Sequence, residues 1–255
     1  PCYNEEARLD SSAIHDFRGN EPGVDMLFVD DGSTDGTAEV LRRLKDAIPV
    51  GLEVLSLDRN CGKAEAVRRG VLRALESEPR FVGYWDSDLS TPLRNVADFA
   101  RLLESRPDLD MVFGSRVKLL GRRVERRTSR HLVGRVFATV VSLMLDMGIY
   151  DTQCGAKLFR VTPRLKRLFE EPFRSTWTFD VEILARLIAM TREEGGAAVD
   201  SLIYEFPLME WTDVPGSKVD LGAYLRSTAE VLGIRHRYLS RRARRRGRAG
   251  KSIGD

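Results

Sequence analysis

The sequence predicts an α/β fold in which a mostly parallel sheet is covered by helices on both faces. Short apolar runs alternate with longer amphipathic stretches from the N-terminus to about Gly114, the rhythm of repeated βα units. Polar, acidic clusters fall where apolar runs end, which is where ligands collect in open α/β sheets. The longest mainly apolar run, Val136 to Leu145, is far short of the roughly 20 residues that span a bilayer.

The expected elements follow in order. A helix runs to about Arg18, followed by a strand Val24 to Val29, a helix Gly36 to Lys45 and a strand Leu52 to Leu57. A helix Cys61 to Leu75, a strand Phe81 to Trp85, a helix Pro92 to Leu103 and a strand Met111 to Phe113 come next. Beyond Gly114 the rhythm breaks into a basic segment, an apolar helix from about Leu132 to Leu145, and helices near Pro163 and Val181. A strand Val199 to Phe206 and a final helix Leu221 to Leu239 close the pattern. Without an internal repeat or a linker rich in Pro, Gly and Ser, residues 1–239 read as one domain and 240–255 as a basic, disordered tail.

The 255 residues are 42% hydrophobic and 31% charged, which excludes wholesale disorder. Three cysteines without paired spacing suggest neither a disulfide framework nor a zinc site and fit a reducing cytoplasm. His15, His131 and His236 have no spacing that makes a zinc site or a triad. The net charge of +3 conceals a partition: nine Lys/Arg and no acid between residues 235 and 251, and eight Lys/Arg against Glu125 between 115 and 135. The remainder is acidic, so the two basic blocks read as local attraction to an anionic partner.

Asp30-Asp31-Gly32-Ser33-Thr34-Asp35-Gly36 reads either as a ligand-facing loop or as a tight turn in which Ser33 or Asp35 caps the next helix. It is no EF-hand, because Arg42 stands where the bidentate glutamate belongs. Gly62-Lys63 is no Walker A motif, being followed by Ala64. Asp86-Ser87-Asp88 leaves the apolar strand Phe81 to Trp85. Two carboxylates one residue apart can turn toward one Mg²⁺ or Mn²⁺ that keeps its other positions for substrate phosphates. The structural alternative, a solvated pair ahead of a helix capped by Ser90 or Thr91, loses weight beside a second acidic strand end.

Together these segments resemble the inverting family 2 glycosyltransferases with the GT-A fold: Pro1-Cys2-Tyr3-Asn4-Glu5-Glu6, Asp30 through Thr37, Asn60-Cys61-Gly62-Lys63 through Gly70, and Asp86-Ser87-Asp88. Gly83 through Pro92, Gly114-Ser115-Arg116, Asp151 through Phe159, Trp177 through Glu182 and Trp211 through Lys218 are similar to the branch of dolichyl-phosphate glucosyltransferases and mannosyltransferases. The resemblance runs to about Leu239. It implies a Rossmann-like three-layer sandwich and an apolar strand, central to the sheet, ahead of Pro1.

The resemblance further implies a nucleoside-diphosphate sugar as donor, a polyprenyl phosphate as acceptor, and transfer with inversion. Pro1, Tyr3, Glu5, Val29 and Asp31 would hold base and ribose, with Asp86, Ser87 and Asp88 at the diphosphate and metal. Gln153 to Lys157 would line the sugar pocket. Lys63 is similar to the glucosyl branch and favours UDP-glucose over GDP-mannose. Ser90 stands where the mannosyl branch often carries a glutamine ligand, so a water would serve the metal there. Arg116, Arg130 and Lys218 match positions that contact the acceptor phosphate, and Asp180 would orient the acceptor or act as a weak base. As the first turn of a helix, Asp180 has an ordinary structural role too.

The basic run after Arg235 and the apolar helix after His131 suggest peripheral contact with the cytoplasmic face of a membrane. A soluble relative acting on a saccharide or a small phosphorylated acceptor is the alternative within the enzymes. A nucleic-acid-binding module is the alternative outside them. It is disfavoured because the basic run offers only Tyr238 for stacking.

Overall fold

The computed structural model describes residues 1–125, 128–195, 198–214 and 221–240. The side chains of residues 125, 128–133 and 221–226 lie outside that description. Helices α1 (Ser11–Asn20), α2 (Thr37–Ala47), α3 (Lys63–Ala74) and α4 (Asn95–Ser105) alternate with strands β1 (Met26–Asp30), β2 (Leu52–Ser56), β3 (Phe81–Trp85) and β4 (Met111–Ser115). The second half holds β5 (Arg123–Glu125), α5 (Thr128–Leu145), β6 (Ala156–Arg160), α6 (Pro163–Glu170), α7 (Phe179–Glu194), β7 (Ile203–Pro207), β8 (Glu210–Thr212) and α8 (Leu221–Ile234). A π-helical turn, Arg235–Leu239, continues α8.

Strand pairing is parallel for β1 with β2, β4 with β7 and β5 with β8, and antiparallel where β6 inserts between β3 and β4. The alternation of side chains across this sheet builds three layers. Val82 and Tyr84 of β3, Met111 and Phe113 of β4 and Phe159 of β6 face a core shared with α3, α6 and α7. Phe81 and Trp85, Val112, and Ala156 and Leu158 face the opposite way, onto Phe99 and Leu103 of α4. Around β1 the same logic holds: Phe28 packs on α1 and α2, and Val29 on Ala66 of α3.

The sheet is not continuous between β1 and β3. Cys2 adds a short bridge beside Asp30, with Cys2 N donating to Val29 O at 2.7 Å and Asp31 N to Cys2 O at 2.8 Å. Below it runs a cleft of about 620 Å³ lined by Met26, Phe28, Phe81 and Val82. Helix α3 contacts both β1 and β3 and so carries the packing across the cleft.

Helix α7 departs from amphipathic expectation. Every residue from Phe179 to Ile188 is buried, charged ones included. Glu182 and Arg186 pair at 2.8 Å one turn apart, and Arg186 also donates to the carbonyls of Leu168, Glu171 and Pro172. Buried charges persist when paired and fully hydrogen-bonded, as here.

Candidate active site

The turn after β1 is fixed by its own side chains. Gly32 is left-handed (φ +66°), and a Cβ there would meet the backbone of Arg59 and Asn60 at 2.4–2.7 Å, so only glycine serves. Asp31, 2% exposed, accepts from Cys61 N at 2.7 Å and Gly62 N at 2.8 Å. Its carboxylate thereby sets the loop that delivers Lys63 to the first turn of α3. Asn4 and Glu5 are tied to the same turn, Asn4 N donating to Ser33 Oγ at 3.1 Å and Glu5 N to Thr37 Oγ1 at 2.8 Å.

The turn after β3 presents the carboxylate pair. Asp86 N donates to Gly155 O at 2.8 Å, and Leu89 takes a left-handed conformation (φ 51°) that folds the chain back. Asp88 is steadied by Ser90 N, which donates to its Oδ1 at 3.1 Å. A Cβ on Gly155 would lie 1.9 Å from Asp86 Oδ2, so glycine makes the cradle for this carboxylate. Oδ1 of Asp86 meets Lys63 Nζ at 2.5 Å.

Electrostatics follow from this crowding. Burial disfavours the charged form of Lys63, but Asp86, Asp180 and Asp88 outweigh it and hold the ammonium above the usual lysine range. Burial likewise works against ionised Asp86, and Lys63 prevails to hold it below the usual carboxylate range. Glu5 moves the other way: burial raises it against the pull of Arg8, and the charges of Asp88 and Asp86 add to the rise.

Lys63, Asp86, Asp88, Arg116, Gln153 and Asp180 share the wall of one cavity of about 230 Å³. Pro1, Val29 and Ser87 face the cleft between β1 and β3 instead. Val29 and Asp31 are buried, and Tyr3 is exposed. Lys157 lies beneath the cavity rather than in its wall. It is 0% exposed, and its ammonium donates to Thr152 O at 3.1 Å and Cys154 O at 2.6 Å. It also pairs with Asp180 Oδ1 at 2.6 Å, to which the Tyr84 hydroxyl donates. Burial first, then Asp180, push the Tyr84 phenol well above its usual range, so it stays a donor.

Arg116 is partly committed within the fold. Its Nε and Nη2 clasp Asp151 at 2.6 and 2.7 Å, and its guanidinium lies 5.2 Å from the Trp211 ring centroid. Burial opposes its charge, and Asp151 more than compensates, leaving it firmly cationic. The side chain of Arg130 and all of Lys218 lie outside the described residues.

The sequence reading missed Arg135, which lines the same cavity, stacks 3.6 Å from the Tyr150 ring centroid and donates to Tyr150 O at 3.0 Å. The available signal was its standing as the lone charge between Leu132 and Leu145. Thr152 was missed as a separate donor. Its Oγ1 and Gln153 Nε2 are buried without hydrogen-bond partners among the described residues and belong to residues that line the cavity.

The carboxylate pair meets the needs of a divalent cation of the Mg²⁺ or Mn²⁺ kind. Gly155 leaves room for the Asp86 carboxylate, and both carboxylates line the cavity. No group of three or more His, Cys, Asp or Glu gathers among the described residues. Two carboxylates would leave the remaining positions of such a cation to substrate and water.

Known proteins share this architecture. Over 94% of this chain, a dolichyl-phosphate beta-glucosyltransferase of Dictyostelium discoideum is 32% identical, the match covering 73% of that protein. The human dolichyl-phosphate beta-glucosyltransferase is 29% identical over 94% of this chain and 74% of its own. The crystal structure of glucosyl-3-phosphoglycerate synthase from Mycobacterium tuberculosis with Mn²⁺ and UDP-glucose superposes with a TM-score of 0.62. It is 22% identical, covering 92% of this chain and 76% of the other. The model of glycosyl transferase family 2 matches residues 1–166, and with the fold and the strand-end carboxylates in place the chain belongs to that family, as a GT-A glycosyltransferase.

Proposed function

We propose that this protein transfers glucose from UDP-glucose to a dolichyl-type polyprenyl phosphate, with inversion at the anomeric carbon. The observation that carries the reading is the gathering of Asp86 and Asp88 with Arg116, Arg135 and the unsatisfied Thr152 and Gln153 groups around one cavity. The dolichyl-phosphate beta-glucosyltransferases similar over nearly the whole chain support both sugar and acceptor.

A phosphomonoester acceptor is largely dianionic at neutral pH, so its oxygen attacks without a strong base. What the protein must supply is orientation and compensation of charge. Arg116 and Arg135 hold the acceptor phosphate against its negative surroundings, the planar guanidinium suiting two phosphate oxygens at once. Asp180, fixed by Lys157 and Tyr84, orients the acceptor. Thr152 and Gln153 take sugar hydroxyls. Asp86 and Asp88 would hold Mg²⁺ or Mn²⁺, whose charge stabilises the departing diphosphate. Arg130 and Lys218 extend the acceptor site, and Pro1, Tyr3, Glu5, Val29 and Asp31 the nucleotide side, on the strength of the family resemblance.

No helix among the described residues is long and apolar enough to cross a membrane. Val136 and Leu143 of α5 and Leu232 of α8 are exposed on two helices that pack together, and α5 borders the cavity through Arg135. With the arginine-rich run after Arg235, they favour the anionic cytoplasmic leaflet.

A panel of nucleotide sugars tests the donor. Calorimetric titration should show UDP-glucose binding that requires Mn²⁺ or Mg²⁺ and exceeds GDP-mannose at least tenfold. Preference for GDP-mannose contradicts the glucosyl assignment, and binding untouched by a chelator contradicts the metal site.

A further inference from the structure

The contact between Lys63 and Asp86 has a feature that a permanent structural ion pair lacks. It is made at 2.5 Å between two side chains that are both open to solvent by a third or more. Compare Lys157, 0% exposed, whose ammonium has two carbonyls besides Asp180. Lys157 is locked. Lys63 is held by charge on a flexible four-carbon stem.

Its setting explains what that charge does. Asp88 and Asp180 act on Lys63 together with Asp86, and Glu5 lies within reach of Asp86 and Asp88. Of the cations nearby, Lys157 is committed to Asp180, Arg116 to Asp151 and Arg8 to Glu5. The backbone beneath Lys63 is fixed through Asp31, so its ammonium is stationed at Asp86 by design of the loop.

We propose that Lys63 is an exchangeable counter-cation: it neutralises Asp86 before the donor arrives and moves to the donor's diphosphate when a divalent cation takes the carboxylate. A bare divalent cation must expel a like charge that has no new partner. A cation arriving with a nucleoside diphosphate brings phosphate oxygens for the displaced ammonium. Metal and nucleotide therefore bind together with strong mutual enhancement, and the site resists free metal. The inference rests on the proposed metal-dependent use of a nucleotide sugar.

The test is Mn²⁺ binding, read from the free-ion paramagnetic resonance signal, without nucleotide and then with saturating UDP. Wild-type protein should bind Mn²⁺ weakly alone and at least tenfold more tightly with UDP. Lys63→Met and Lys63→Gln should bind Mn²⁺ alone about fivefold more tightly than wild type, the scale of a partly exposed ion pair, and gain less from UDP. Lys63→Arg should behave as wild type. Neutral variants that melt like wild type yet bind lone Mn²⁺ no more tightly overturn the exchange while leaving the donor assignment intact. Wild-type protein that binds no Mn²⁺ even with UDP removes both.

Discussion

Asp88→Asn should lower kcat/KM for glucosyl transfer by about 10²–10³ or more, the scale of deleting one group that stabilises charge in the transition state. The change is isosteric, and the amide oxygen can still accept from Ser90 N, now at 3.1 Å from the carboxylate. What disappears is one of the two charges available to a cation beside the diphosphate. Asp86→Asn should do the same and also strand Lys63. Steady-state kinetics with calorimetry checks this: the UDP titration should lose its dependence on divalent cation while thermal unfolding moves by only a few degrees. Transfer at a normal rate by either variant removes the carboxylate pair from the mechanism.

Lys157→Met should be the most damaging single change to stability. Its ammonium is buried against Asp180, whose other contact on the same oxygen is the Tyr84 hydroxyl. Removing one partner of a buried pair leaves an uncompensated charge and costs about 3–5 kcal/mol. The Lys157→Met, Asp180→Leu double variant removes both charges and should regain most of that loss, because apolar replacement of a buried pair is often neutral. It should remain inactive, since Asp180 borders the cavity. Urea denaturation of the three proteins with parallel transfer assays separates the two effects. A single variant as stable as wild type contradicts the pair.

The first half of the chain was legible because its physics is local. Each strand from β1 to β4 and each helix from α1 to α4 reads from apolar periodicity, and Phe81–Trp85 agrees to the residue. The placement of Asp86 and Asp88 at a strand end was legible because it follows from that rhythm. Strand β6 was not read, since Ala156–Arg160 carries the family motif and mixes Lys157 and Arg160 with apolar residues. Burying a lysine there requires Asp180, distant in sequence, which no local pattern reveals. The same holds for Arg116, whose partner Asp151 is 35 residues away, and for Val199 to Leu202, a 3₁₀ turn ahead of β7 where a strand was expected. The final helix reads correctly in extent but ends in π geometry from Arg235, with the Tyr238 hydroxyl donating to buried Glu182 at 2.8 Å. Tyr238, the sole aromatic of the basic run, is thus tied into the fold. Of the basic run after Arg235, for which membrane contact is expected, residues 241–255 lie outside the described residues.

The identity of the product tests the central claim most directly. Protein incubated with radiolabelled UDP-glucose, Mn²⁺ and dolichyl phosphate in detergent should move label into the organic phase, as a lipid that releases glucose on mild acid treatment. Formation should stop with a chelator and in Asp88→Asn. Label that stays in water as a glucosylated soluble acceptor, with none in the lipid phase, would contradict the assignment of a polyprenyl phosphate as acceptor.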